Sequence, residues 1–128
     1  MTKLRELYKC SVCGNVVEIV HPGAPALVCC GKSMDKMEAK SQDKGNEKHV
    51  PVVTALPTGG IEVKVGDVEH PMEEKHYIGF IEVLTQDRVM RVELNPGEKP
   101  YAKFCTNIEN VIEVREYCNI HGLWKKQI

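Results

Sequence analysis

Ile61-Glu62-Val63-Lys64-Val65 alternates apolar and charged side chains residue by residue, the period of a half-buried β-strand. Just before it, Pro57-Thr58-Gly59-Gly60 is a turn, and residues 50–56 are a largely β-branched run that reads as a strand. Further on, residues 77–84 are apolar on both faces, as expected of a central strand. Met90, Val92 and Leu94 alternate with Arg91 and Glu93 ahead of a turn at Asn95-Pro96-Gly97. Residues 101–106 and 111–117 supply two more strands, and only a turn around Asn107 to Asn110 has helical character. Six or so short antiparallel strands, with no long helical pattern, predict a mainly β protein built as a sandwich or barrel.

The chain ahead of these strands has a different character. Residues 1–37 hold four of the six cysteines, and their apolar residues come in short runs such as Val16-Val17-Glu18-Ile19-Val20. So short a segment cannot bury enough surface to offset its chain entropy, and it needs a metal or a partner to fold. Residues 38–46, Glu-Ala-Lys-Ser-Gln-Asp-Lys-Gly-Asn, carry almost nothing apolar and read as a solvated linker. The expected organisation is a metal module over 1–37, a linker over 38–46 and a β-domain over 47–128.

Cys10-x-x-Cys13, followed sixteen positions later by Cys29, has the spacing of a four-cysteine metal site. Its fourth member, Cys30, adjoins Cys29, and neighbours in an extended strand point to opposite faces. Both reach one ion only if the backbone bends, for which Gly31 is well placed. A tetrahedral four-sulfur site suits zinc or iron, and ligand type does not choose between them.

With 128 residues and a formal net charge of −1, the chain has no electrostatic reason to bind nucleic acid or an anionic membrane. Residues 1–10 lack the apolar core of a secretory signal, and no apolar run approaches the ~20 residues of a membrane span. A cytoplasmic location is expected, and there cysteines are better explained by metal than by disulfides.

A second donor set is spread along the β-domain. Glu47-Lys48-His49-Val50-Pro51 and Cys118-Asn119-Ile120-His121-Gly122 bracket His70 and His76. Four imidazoles and a thiol are too many for four-coordinate structural zinc. They leave one octahedral position free, which suits iron that binds and reduces a small anion, with Glu47 and Lys48 beside the first ligand. Glu73, Glu74 and Lys75 read as an exposed charged loop bordering the site. His21, before Pro22-Gly23, reads as an exposed turn residue. Cys105, beside Phe104, reads as a strand residue packing as a small apolar group.

These stretches together resemble desulfoferrodoxin, the two-iron class of superoxide reductase, over nearly the whole chain. The cysteine segment is similar to a desulforedoxin-type module, and Glu47–Pro51, the stretch from His70 to Ile78, and Glu116–Gly122 are similar to the family's catalytic segments. The resemblance implies an Ig-like antiparallel β-sandwich of seven strands and two irons per chain. One iron would be held by Cys10, Cys13, Cys29 and Cys30. The other would have His49, His70, His76 and His121 in a plane and Cys118 on the axis. It further implies Glu47 as a sixth ligand when oxidised, Lys48 as the cation that attracts superoxide, rubredoxin or a similar small protein as electron donor, and a homodimer. The competing readings are an electron carrier without catalysis of its own and a zinc-binding structural module.

Overall fold

In the computed structural model, which describes residues 1–23, 26–42 and 49–128, the chain separates into two units, Met1–Glu38 and Ala39–Ile128. The first unit carries β1 (Leu7–Lys9), β2 (Val16–Glu18), β3 (Val28–Cys29), β4 (Lys32–Ser33) and β5 (Asp35–Lys36). Antiparallel β2-β1-β5 forms one sheet, and β3 and β4 form a separate two-residue ladder. Its buried apolar side chains, among the described residues, are Leu7, Cys10 and Ile19. That is too small a core to hold the unit by apolar burial alone, so the cysteines must contribute.

The second unit is a seven-stranded antiparallel sandwich. Its strands are β6 (Pro51–Ala55), β7 (Ile61–Val65), β8 (Ile78–Thr85), β9 (Val89–Glu93), β10 (Tyr101–Phe104), β11 (Val111–Cys118) and β12 (Gly122–Gln127). One sheet has the order β10-β7-β6 and the other β12-β11-β8-β9. The alternation on β7 appears as burial: Ile61, Val63 and Val65 are fully inside. They meet Ile81 and Val83 of β8, Val114 of β11 and Phe104 of β10 in one core. β8 lies between β11 and β9, the central place expected of it, although only one of its faces, that of Ile81 and Val83, is apolar. On its other face the buried Glu82 pairs with Arg115 of β11 at 2.6 Å and with Arg91 of β9 at 3.5 Å. The helical turn is a single 3-10 turn, Ile108–Asn110. No helix among the described residues is long and apolar enough to cross a membrane.

Three sequence expectations change. β12 did not stand out, because Leu123 and Trp124 are adjacent and both buried, which breaks the alternation of a strand. Cys105 is not packed: β10 ends at Phe104, the last inward residue, and the chain bends so that the Cys105 thiol is exposed. Within the stretch read as linker, the Lys40 N–H donates to the carbonyl of Leu123 and the Lys125 N–H to that of Lys40, which joins Lys40 to the edge of β12. Glu47 and Lys48, and residues 43–46 of the stretch read as linker, lie outside the described residues.

The register between β8 and β11 shifts just before the sandwich ends. Tyr117 pairs with Phe80 but Cys118 with Ile78, so Gly79 is an extra residue on β8. The bulge turns Ile78 inward beside Cys118, both fully buried. The end of β11 and the starts of β6, β8 and β12 therefore present their flanking residues at one end of the sandwich.

At the β6–β7 turn, Gly60 has φ +85° and a Cβ there would stand 2.9 Å from the carbonyl oxygen of Phe104. Gly60→Ala is expected to destabilise the second unit by about 2 kcal/mol or more, from left-handed strain and the backbone clash together. Urea unfolding followed by Trp124 fluorescence measures this.

Candidate metal centres

In the first unit the sulfurs of Cys10, Cys13, Cys29 and Cys30 all lie within 4.8 Å of one another. Cys13 Sγ is 3.5 Å from Cys29 Sγ, and Cys29 Sγ is 3.9 Å from Cys30 Sγ. Four sulfurs ~2.3 Å from one ion at tetrahedral angles stand ~3.8 Å apart, so the cluster already has the size of a metal-thiolate tetrahedron. The bend that gathers the adjacent pair starts one residue earlier than the glycine suggested. Cys30 itself has φ 53°, followed by Gly31 at 72°.

The N–H groups of Val12 and Cys13 both donate to Cys10 Sγ at 3.4 Å. These two backbone donors, Cys13's first, pull the Cys10 thiol down to about 6. Cys30 is pushed up to about 12 by the sulfurs of Cys13, Cys10 and Cys29, and Cys29 is raised by its contact with Cys13. One thiolate forms readily and its neighbours then resist ionising, unless a cation at the centre offsets the accumulated charge.

The second cluster is built from three parts of the sandwich. His49 precedes β6, His70 and His76 lie on the connection from β7 to β8, and Cys118 and His121 bracket the turn from β11 to β12. Their donor atoms all lie within 4.8 Å of one another. The four rings close a square: centroids are 4.9 Å apart for His49–His70, 4.7 Å for His70–His76, 5.0 Å for His76–His121 and 4.7 Å for His121–His49. Every side of the square is edge-on, with interplanar angles between 65° and 80°. Rings so disposed aim nitrogens at a shared centre.

Individual contacts agree with that. His49 Nε2 is 3.1 Å from His121 Nδ1, close to the ~3.0 Å between two nitrogens bound ~2.1 Å from one ion at right angles. His70 Nδ1 donates to the carbonyl of Pro71 at 2.7 Å. The ring is thereby held in one tautomer, leaving a lone pair on Nε2, which is buried and has no hydrogen-bond partner. Burial is the main reason that His70 is held neutral, its pKa lowered to about 4 against the opposing effect of the Pro71 bond. Burial likewise raises the Cys118 thiol, opposed by the N–H groups of His121 and Ile120, the former donating to Sγ at 3.4 Å. A buried thiol kept protonated by its surroundings, facing neutral imidazoles, becomes a thiolate once a cation sits among them.

The cluster has a closed and an open side. Cys118 and His70 are buried, His49 and His76 half-buried, and His121 exposed. Three side chains that sequence reasoning did not single out hold it in place. Trp124 stacks on His49, centroids 4.5 Å apart at 15°, and its Nε1 donates to the carbonyl of His121 at 3.2 Å. Lys40 Nζ donates to that same carbonyl at 3.0 Å and lies 5.1 Å from the Trp124 ring centroid. Asn119 bonds to the backbone on both sides of His76. Asn119 lay inside a quoted motif, yet only the fold brings residues 40, 76 and 119 to one place. Glu73, Glu74 and Lys75 are exposed, as expected, and His21 is exposed as well.

Comparison with known proteins follows the two units. The family model described as Desulfoferrodoxin matches residues 41–127, and that described as Desulfoferrodoxin, N-terminal domain, matches residues 2–37. A desulfoferrodoxin homolog of Methanothermobacter thermautotrophicus is 52% identical over 97% of this chain and 99% of its own. A desulfoferrodoxin of Syntrophotalea carbinolica is 50% identical over 99% of both chains. Among solved structures, the superoxide reductase from Treponema pallidum superimposes with a TM-score of 0.78 at 26% identity, covering 95% of this chain and 97% of that one.

Because folded His70 takes up a proton less readily than the unfolded ring, its contribution to the stability of metal-free protein is expected to be complete above pH 6.5 and to be lost progressively toward pH 4. Urea denaturation of chelator-treated protein across that range measures the slope, which His70→Gln should reduce.

Proposed function

We propose a mechanism on this premise: the chain belongs to the desulfoferrodoxin family, and its enzyme activity is that of a superoxide reductase. Both clusters are assigned to iron, one ion on Cys10, Cys13, Cys29 and Cys30 and the other on His49, His70, His76, His121 and Cys118. The observation that carries the assignment is the meeting of four imidazoles and a buried thiol within 4.8 Å. Imidazole and thiolate together suit iron, zinc or copper, and five donors exceed what structural zinc takes. Ferrous iron, when bound there, would supply the single electron that, with two protons, converts superoxide into hydrogen peroxide.

The residues of the chain do the rest. Cys118, on the closed side, would give up its proton when the site is loaded and lend the ion the charge of a thiolate. The Pro71 carbonyl keeps the proton of His70 on Nδ1, so that Nε2 faces inward. The stack of Trp124 on His49 fixes that ring's plane. The exposed side at His121 is where a small anion enters. Lys48, next to His49 in the sequence, is assigned the attraction of superoxide and, through ordered water, the supply of protons. Glu47 is assigned to the oxidised resting site, where its carboxylate balances the higher charge.

A small electron-carrier protein such as rubredoxin would return the electron, and the active form would be a homodimer. If the first cluster only relays electrons, Cys13→Ser should abolish its metal while prereduced protein still reduces superoxide.

Cys118→Ser is expected to remove the thiolate-to-metal charge-transfer band and superoxide reduction while the sandwich stays folded, and Cys105→Ser to keep both. The opposite pattern would refute the ligand assignment. Metal analysis of anaerobically purified protein should find two irons per chain; one iron confined to the cysteine cluster would favour an electron carrier, and zinc a structural module.

Lys48→Ala is expected to slow the reaction with superoxide and to flatten its dependence on ionic strength, because screening weakens the pull of a cation on an anion. Pulse radiolysis at several salt concentrations measures both effects, and a rate and slope equal to wild type would leave Lys48 without the role.

A further inference from the structure

Asn119 sits between Cys118 and His121, on the turn that joins β11 to β12. Its Oδ1 accepts from the N–H of Tyr77 at 2.9 Å, and its Nδ2 donates to the carbonyl of Lys75 at 3.1 Å. Its backbone N–H donates to the carbonyl of Tyr77 at 3.2 Å. The orientation of the amide is unambiguous, since a backbone N–H only donates and a carbonyl only accepts. The two side-chain bonds therefore land on the residues immediately before and after His76.

This matters because His76 is carried by an exposed loop. The reciprocal backbone bonds of Glu73 and His76, 2.9 and 3.0 Å, close that loop upon itself. They do not tie it to the turn that bears Cys118 and His121. Asn119 does. We propose that Asn119 is a positioning residue of the second metal centre, locking the His76 loop to the Cys118–His121 turn so that donors from two separate segments keep one spacing.

The inference rests on the assignment of a metal to the His49, His70, His76, His121 and Cys118 set. It adds to that assignment a residue that donates nothing to the metal. Loss of the amide should loosen His76. It should also disturb the turn whose His121 N–H bonds Cys118 Sγ at 3.4 Å, and with it the electron density on the sulfur. Outer partners that orient metal ligands are typically worth about 10–100-fold in metal affinity.

The test uses the full-length, iron-loaded chain as wild type, Asn119→Ala and Asn119→Asp, with a strong chelator drawing out the metal. Iron at the two centres is followed separately by their charge-transfer absorption. Asn119→Ala is expected to lose second-centre iron about 10–100-fold more readily, with a displaced thiolate band and a changed reduction potential at that centre. The first centre, in its own unit, should be unaffected. Asn119→Asp keeps the acceptor for Tyr77 and loses the donor to Lys75, so it should fall between wild type and alanine. Retention, band and potential equal to wild type in Asn119→Ala would overturn the proposal. Should the alanine variant not fold, an Asn119→Asp protein indistinguishable from wild type would overturn it equally. Wild-type protein that holds no metal at the histidine set would instead refute the underlying assignment, and this inference with it.

Discussion

A buried thiol and four imidazoles crowded within 4.8 Å of one another are an arrangement that a protein interior does not favour unaided. Burial suppresses the charge on Cys118 and leaves the lone pair of His70 Nε2 with no proton to accept from a neighbour. Each of these costs free energy in a metal-free chain. A cation at the centre removes both costs at once, because it stabilises the thiolate and takes the lone pair. The same logic holds in smaller form in the first unit, where, among the described residues, buried Leu7 and Ile19 are supplemented by four sulfurs at metal-thiolate spacing.

The sandwich exists, in this light, to bring strand ends together. Its core is carried by β7, β8, β10 and β11, and apart from Cys118 it is built of apolar side chains that ligate nothing. Rigidity from that core is then exported to the site through a few specific contacts. The Gly79 bulge sets Ile78 beside Cys118, Trp124 braces His49 and the His121 carbonyl, and Lys40 braces that carbonyl a second time. With Cys118 on the closed side and His121 on the open side, the proposed donor of charge is kept apart from the proposed point of anion entry. An enzyme that reduces a small anion without admitting bulk solvent to its sulfur needs that asymmetry.

The residues of the two clusters are legible in the sequence because cysteine and histidine are chemically distinctive and their segments are short. Strands β7 and β9 were legible because each keeps a wet face. β12 was hidden, since Trp124 uses one face to pack on His49 while Leu123 fills the other, and the period of two disappears. Cys105 was misplaced by one position, as nothing local marks Phe104 as the end of β10. The left-handed turn is expected at Gly31, but Cys30 shares it. Asn119 and Lys40 look like ordinary polar residues until the fold brings them to the loops they hold. Which strand ends meet is a tertiary fact that no local pattern encodes.

The central claim is that the open side of the histidine cluster reduces superoxide and does not dismutate it. The most direct measurement mixes fully reduced protein with a known quantity of superoxide and scores both hydrogen peroxide and dioxygen. The account predicts one peroxide for each superoxide consumed, with no dioxygen evolved while reduced centres remain. Dioxygen appearing in equal amount to peroxide would contradict it.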